Sequence, residues 1–125
     1  MLFRSVHLWT LAHELLKDER YLLLAEKSAW YAWEAESQIG NLCCGLSGQA
    51  YASLKLHQHT AEKAWLHRAQ AQAQKAATVI GEMPAGNGYE QLVVRAESLY
   101  KGELGVAVLA ADLENPEFAL MPFFD

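Results

Sequence analysis

Asn41-Leu42-Cys43-Cys44-Gly45-Leu46-Ser47-Gly48 is the stretch of this chain that decides its fold and its possible chemistry. It contains both cysteines of the protein, side by side, next to glycines that allow other groups to approach the backbone closely. A disulfide between neighbouring residues closes a strained ring, whereas two thiols are good ligands for a soft metal such as zinc. The alternative interpretation is that Cys43 and Cys44 are two small buried hydrophobic residues at the start of a helix.

Length and composition predict a single domain over residues 1–125 with its own hydrophobic core. Hydrophobic residues make up 52% of the chain, which excludes an intrinsically disordered protein. The chain carries 10 Lys and Arg against 15 Asp and Glu, giving a net charge of -5. Because no basic block interrupts this acidic balance, we expect neither nucleic acid nor an anionic membrane surface as a partner.

The cellular location follows from the N-terminal segment and from the cysteines. Met1-Leu2-Phe3-Arg4-Ser5-Val6-His7-Leu8-Trp9 lacks the apolar run and the small-residue cleavage site of a secretory signal. No stretch approaches the ~18 consecutive apolar residues of a membrane span. Two adjacent cysteines do not make a disulfide framework, so a reducing cytoplasm is the expected location.

Apolar residues recur at three- and four-residue steps along most of the chain, which predicts an all-α fold. In the first helix these residues are Phe3, Val6, Trp9, Ala12 and Leu16. The five predicted helices cover about residues 2–16, 21–35, 43–57, 61–79 and 102–113. The short polar turn over residues 17–20 predicts that the first two helices are antiparallel neighbours.

The segments between and after these helices also carry predictions. Asn41 is the predicted N-cap of the third helix. Residues 81–97 read as a loop rich in Gly and Pro, within which residues 91–94 are predicted to form a short helix. Pro116 ends the last helix, and the aromatic tail over residues 118–125 is expected to dock against the core.

A weak internal repeat organises the chain as helical hairpins. Gly45, Gly48 and Ala50 reappear 57 positions later as Gly102, Gly105 and Ala107, each time at a helix start. Repeated hairpins stack into solenoids or close into α/α toroids. Glycine at each helix start lets several helix ends crowd around a common centre, which favours the toroid.

These motifs together resemble the lanthionine synthetase C-like family. Gly40-Asn41-Leu42-Cys43-Cys44-Gly45-Leu46-Ser47-Gly48-Gln49-Ala50-Tyr51 is similar to the Cys-His-Gly segment of that family. Trp65-Leu66-His67-Arg68-Ala69 and Ser98-Leu99-Tyr100-Lys101-Gly102-Glu103-Leu104-Gly105-Val106-Ala107 follow in the same order as the family's later motifs. The ending from Pro116 to Phe124 resembles the family's C-terminal segment, so the resemblance extends from about Leu8 to the end of the chain.

The resemblance implies a fold, an activity and a metal site. It implies an α/α toroid of nested helices and a zinc-dependent cyclase that adds a peptide cysteine thiol to dehydroalanine or dehydrobutyrine, although some relatives handle glutathione or have no known cyclase role. By position, Cys43 matches a cysteine ligand of the zinc and Cys44 matches a histidine ligand. A Cys-Cys-Gly version also exists in the family. Four glycines are implied to be structural, namely Gly45, Gly48, Gly102 and Gly105.

Two departures from the family pattern shape the expectation. The chain has no Trp-Cys-x-Gly motif, which in the family supplies the first zinc ligand, and Lys101 and Glu103 replace the commoner residues of the late glycine motif. We therefore expect the C-terminal part of a toroid, roughly its last third, that is not a competent cyclase alone. No general acid or base is identified in the sequence.

The histidines and tryptophans, which bind metals or peptides in other proteins, are interpreted here as surface or core residues. His57 and His59 are interpreted as solvated residues at a helix C-terminus rather than as a metal pair. His13 is expected on the surface, and His7 is a candidate for an interior position. The tryptophans are interpreted as core residues rather than as a peptide-binding cage, and they are Trp9, Trp30, Trp33 and Trp65.

Three functions remain open at the level of sequence. The favoured one is part of a zinc-dependent cyclase with Cys43 and Cys44 as metal ligands and a dehydrated peptide as substrate. The second is a shortened, non-catalytic interaction module whose exposed helix faces are covered by a second copy or by a partner domain. The third is a plain helical-repeat fragment whose function lies elsewhere in a longer protein.

Overall fold

A computed structural model describes residues 2–82 and 97–125, and all regular structure in these two ranges is helical. This confirms the predicted all-α fold with five helices. The predicted short helix at residues 91–94, and most of the loop around it, lie outside the described residues. The helices are α1 (Leu2–Leu16), α2 (Glu19–Glu34), α3 (Leu46–Thr60), α4 (Lys63–Gly81) and α5 (Leu104–Glu114), followed by a single 3-10 turn (Pro116–Phe118).

The first hairpin is closed by a two-residue turn. Lys17 adopts a left-handed backbone conformation with φ 53°, which ends α1. Asp18 is the N-cap of α2, and its carboxylate accepts a hydrogen bond from the backbone N–H of Arg20 at 2.9 Å. Because Asp18 caps at this point, α2 begins two residues earlier than the polar turn over residues 17–20 predicts. The two helices pack against each other as predicted.

The second hairpin has a similar turn. Ala61 takes the left-handed conformation with φ 61°, and its N–H donates to the carbonyl oxygen of His57 at 2.7 Å. Helix α3 therefore ends at Thr60 rather than at His57, and α4 begins at Lys63. The Ala-Gln alternation over residues 69–74 lies inside α4, as the helix propensities of these residues predict.

Helix α3 is the centre of the fold. It contacts each of the other four helices, and most of its residues are buried. The contacts along its length fix the directions of its neighbours: Cys43 lies near Arg4 and His59 near His13, so α1 and α3 are parallel. Tyr51, in the middle of α3, donates a hydrogen bond to Asp112, near the end of α5, at 2.5 Å. The backbone N–H of Cys43, just before α3, donates to Tyr100, just before α5, so α5 is also parallel to α3. The N-termini of α1, α3 and α5 therefore lie at one end of the molecule.

The C-terminal tail docks with aliphatic residues in the core, whereas its aromatic rings lie at the periphery. Ala119 and Met121 are buried in the core beside Leu54 and Leu109. Phe118 and Phe123 are 80% and 88% exposed. The prediction that the tail docks is confirmed: Ala119 and Met121 occupy core positions, and Phe124 packs against Arg4 at the edge of the core.

The tryptophans are only partly core residues. Trp65 is buried in the main core, whereas Trp30 and Trp33 of α2 are exposed at the surface. The guanidinium of Arg68 lies 4.2 Å from the ring centre of Trp30 and 4.5 Å from that of Trp65. A cation stacked on a ring face accounts for the surface position of Trp30, which is interpreted from its residue type as a core residue. No helix among the described residues is long and apolar enough to cross a bilayer.

Candidate metal centre

Both cysteines lie on a turn that precedes α3, not on the helix itself as predicted. Helix α3 begins at Leu46, and its N-cap is Gly45, which has no side chain to cap with. Asn41, the predicted N-cap, does not cap α3. Its side-chain oxygen instead accepts a hydrogen bond from the backbone N–H of Cys44 at 3.2 Å. Asparagine readily closes turns in this way. Asn41 therefore shapes the turn that carries the cysteine pair.

The glycines of this segment are required by close packing. A Cβ atom on Gly45 would lie 2.2 Å from the carbonyl oxygen of Ile39, and one on Gly48 would lie 2.5 Å from that of Leu42. The ring of Phe3 on α1 would lie 2.8 Å from the same Gly48 Cβ. The backbone therefore folds closely over the start of α3 and brings α1 against it, as predicted for Gly45 and Gly48.

The internal repeat appears as two equivalent turns. In the first, Asn41 accepts from the N–H of Cys44; in the second, the hydroxyl of Ser98 accepts from the N–H of Lys101, also at 3.2 Å. These pairs are 57 positions apart, which is the predicted period. The sequence repeat therefore corresponds to a repeated local structure at the starts of α3 and α5.

The second turn supports the first. The backbone N–H of Cys43 donates to the carbonyl oxygen of Tyr100 at 3.0 Å. A Cβ atom on Gly105 would lie 2.3 Å from the carbonyl oxygen of Leu99 and 2.7 Å from the side chain of Leu42. Gly105 therefore has the packing role predicted for it, and α5 holds the backbone of the cysteine turn in place.

Arg4 of α1 places a positive charge beside Cys43. Its Nη2 donates to the carbonyl oxygen of Cys43 at 3.2 Å and lies 3.9 Å from the Cys43 Sγ. The guanidinium also stacks on the ring of Phe124, at 5.2 Å from the ring centre. Sequence reasoning did not identify Arg4. The available signal was that Arg4 is the only Lys or Arg in α1.

Cys44 faces the solvent at the edge of a cleft. The cleft has a volume of about 230 Å³ and lies between α2 and the start of α3. Gln49 lines it, and the buried side-chain oxygen of Gln49 has no hydrogen-bond partner among the described residues. Burial raises the pKa of the Cys44 thiol and the neighbouring Cys43 raises it further, against smaller opposing effects of Lys101 and Arg4.

The donor chemistry of this turn fits zinc, but the described residues supply only part of a coordination shell. Cys43 and Cys44 offer two soft sulfur ligands at the positive end of α3. In residues 2–82 and 97–125, no group of three or more His, Cys, Asp or Glu side chains is placed to hold a metal ion. Any complete zinc site built on this turn therefore needs a further ligand from outside the described residues.

The histidines are distributed at other places. His57 lies near the end of α3, where its Nδ1 is 3.0 Å from the carbonyl oxygen of Glu62, as suits the predicted solvated role. His59 is different from the prediction, because its side chain is 91% buried and contacts His13. His7 is interior as proposed, and its Nδ1 lies 3.3 Å from a carboxylate oxygen of Asp125.

Asp125 anchors the tail at the centre of a polar network. It accepts hydrogen bonds from the Lys55 ammonium at 2.6 Å and from the N–H of Met121 at 2.9 Å, besides its contact with His7. Burial alone would raise the pKa of the Asp125 carboxyl group, but these hydrogen bonds outweigh it and hold the pKa well below its usual range. No local sequence pattern predicts this network, since it joins residues 118 positions apart.

A comparison with known families covers nearly the whole chain. The family model described as "Lanthionine synthetase C-like protein" matches residues 6–125. The match includes the cysteine turn, its equivalent at the start of α5 and the docked tail. It confirms the predicted resemblance, and the helical hairpins of the described residues are consistent with an incomplete α/α toroid.

Proposed function

The chain belongs to the lanthionine synthetase C-like family, and from this premise we propose that it is part of a zinc-dependent cyclase of the cytoplasm. The reaction is the addition of a peptide cysteine thiol to dehydroalanine or dehydrobutyrine. The observation that carries the proposal is the Cys43-Cys44 turn, held at the end of the molecule where α1, α3 and α5 begin. The convergent helix N-termini and a bound cation would together offset the burial that raises the pKa of the Cys44 thiol.

In this proposal Cys43 and Cys44 are zinc ligands, and other residues of the chain fix the positions of the two cysteines. Bound zinc would lower the pKa of a substrate thiol so that the thiolate exists at neutral pH. Asn41 fixes the turn that presents Cys44, and Arg4 binds the Cys43 carbonyl group while balancing charge beside its sulfur. The cleft beside Cys44 offers a place for part of a peptide substrate.

Ring formation also needs a third protein ligand and a proton donor. Neither is identified among the described residues, so we expect this chain alone to show no cyclase activity. The test is ring formation on a dehydrated, cysteine-containing peptide by a protein that also carries the upstream Trp-Cys-x-Gly motif. The loss of free thiol at unchanged peptide mass reports the reaction.

Matched variants make this test specific. Cys43→Ser/Cys44→Ser in the extended protein should abolish ring formation, whereas His67→Gln, at an exposed position of α4, should leave it unchanged. Full activity of the cysteine variant, or cyclisation by the unextended chain, would refute the proposal as stated.

The second candidate is a shortened, non-catalytic interaction module, and one observation favours it. Leu8, Leu11 and Leu15 form a stripe along α1 at helical spacing, and each is at least half exposed. An apolar stripe of this kind is typical of a face that a second copy or a partner domain covers. Association in sedimentation experiments that Leu11→Lys removes, in a protein without ring-forming activity, would favour the module.

A further inference from the structure

Two histidines meet at the end of the molecule opposite the cysteine turn. His13 lies in the last turn of α1 and His59 in the last turn of α3. The Nδ1 atom of His13 and the Nε2 atom of His59 are 2.7 Å apart, and the two rings are nearly perpendicular, at 77°. His59 lies about 20 Å along α3 from the residues that follow the cysteines, at a rise of ~1.5 Å per residue. This pair is therefore separate from the candidate metal centre.

Each histidine contacts a carboxylate through its other ring nitrogen. The Nε2 of His13 lies 3.3 Å from Glu19 Oε1, and the Nδ1 of His59 lies 3.3 Å from Glu14 Oε1. An ionised carboxylate only accepts hydrogen bonds, so each contact favours the imidazole tautomer whose outer nitrogen carries the hydrogen. In those tautomers the lone pairs of His13 Nδ1 and His59 Nε2 face each other.

Two lone pairs that face each other at 2.7 Å are an arrangement that a bound cation would satisfy. We propose that the His13–His59 pair is a second cation site, which binds one divalent transition-metal ion of the imidazole-preferring class, such as Zn²⁺ or Ni²⁺. Binding forms two coordination bonds from the imidazole nitrogens, and no redox change occurs.

The surroundings of the pair suit such an ion. Zinc-bound imidazole nitrogens lie at ~2.0–2.1 Å from the metal, so the two nitrogens need to separate by only about 0.6 Å to reach tetrahedral spacing. The carboxylates of Glu14 and Glu19 are placed as the outer partners that orient histidine ligands in metal sites. The side chain of His13 is partly exposed, which leaves room for water as the remaining ligands.

Metal titration in the Cys43→Ser/Cys44→Ser background tests the site without interference from the thiols. Isothermal calorimetry with Ni²⁺ should show one ion per chain. His13→Gln and His59→Gln should each abolish this binding, whereas His67→Gln should preserve it. Glu14→Gln and Glu19→Gln should each weaken the affinity about tenfold, as typical for the outer partners of histidine ligands.

A measurement on the unsubstituted chain covers the case in which a variant fails to fold. Paramagnetic Ni²⁺, added below one equivalent, should broaden the imidazole resonances of His13 and His59 before those of His67. Equal broadening of all three, binding unchanged in both His→Gln variants, or no Ni²⁺ binding in the cysteine-free background would each overturn the proposal. None of these outcomes depends on the cyclase proposal.

Discussion

At the scale of single residues, small side chains set the distances between the backbone segments of this protein. At Gly105, the Leu99 carbonyl oxygen and the Leu42 side chain occupy the space that a Cβ atom would need, so only glycine fits. Asp125 is charged in a nearly enclosed place because three donors converge on it. Both residues act at long range, joining the start of α5 and the end of the chain to earlier helices.

Gly105→Ala should destabilise the fold by about 1–3 kcal/mol, because the new methyl group overpacks a contact made partly by backbone atoms. Urea denaturation gives the free energy of unfolding. The control is Gly81→Ala at the end of α4, where an added Cβ meets nothing within 4 Å. Alanine is the better helix former, so this control should be neutral or stabilising by up to about 1 kcal/mol. Equal effects of the two substitutions would contradict the packing role of Gly105.

Asp125→Asn should lower the free energy of unfolding at pH 7 by about 2 kcal/mol, since hydrogen bonds to a charged group are lost. The folded-state pKa of Asp125 is depressed, so its contribution is present above the unfolded-state pKa of about 4 and is lost as the pH falls through the folded-state pKa. Stability of the unsubstituted chain should therefore fall more steeply on acidification below pH ~4 than that of the variant. Parallel pH profiles would show that the network around Asp125 adds nothing.

At the scale of elements, turn chemistry decides where each helix begins and ends. The left-handed residues Lys17 and Ala61 end α1 and α3, and neither is a glycine that would have announced such a turn. Asn41 closes a four-residue turn over residues 41–44 instead of capping α3. Ser98 does the same before α5, so the repeat of the sequence is first of all a repeat of these turns.

Asn41→Ala should cost about 1 kcal/mol of stability and weaken metal binding by the cysteines, because the N–H of Cys44 loses its partner. Ser98→Ala, at the equivalent position before α5, should cost a similar amount of stability with a much smaller effect on metal binding. Chemical denaturation and metal titration measure the two quantities. Equal losses of metal affinity in both variants would mean that Asn41 has no particular role in presenting Cys44.

The sequence predicted these elements better than the site they form. The apolar period of α1 gave both ends of that helix, since no turn residue competes with its pattern. The predicted start of α3 is three residues early, because the residue types around Cys43 are compatible with both a turn and a helix. Arg4 and Asp125 were missed because their roles depend on contacts across 39 and 118 positions. Local patterns carry no information on contacts of that range.

At the scale of the whole molecule, the parallel course of α1, α3 and α5 gives the protein two chemically different ends. One end carries the cysteine turn, with Arg4 beside it. The other end carries the His13–His59 pair with its two carboxylates. The metal-binding role proposed for the cysteine turn rests on membership of the lanthionine synthetase C-like family. The cation site proposed at the other end rests on the contacts of His13 and His59 in this chain.

The central claim is that Cys43 and Cys44 are metal ligands, and cobalt(II) titration tests it most directly. Thiolate bound to Co²⁺ absorbs strongly by charge transfer in the near ultraviolet, whereas imidazole ligation does not, so the cysteine turn is read separately from the histidine pair. In the protein that also carries the upstream Trp-Cys-x-Gly motif, we predict a charge-transfer band that saturates near one Co²⁺ per chain, is largely lost in Cys43→Ser/Cys44→Ser and persists in His59→Gln. A chain that binds Co²⁺ without this band, or a band unchanged in the cysteine variant, would contradict the claim.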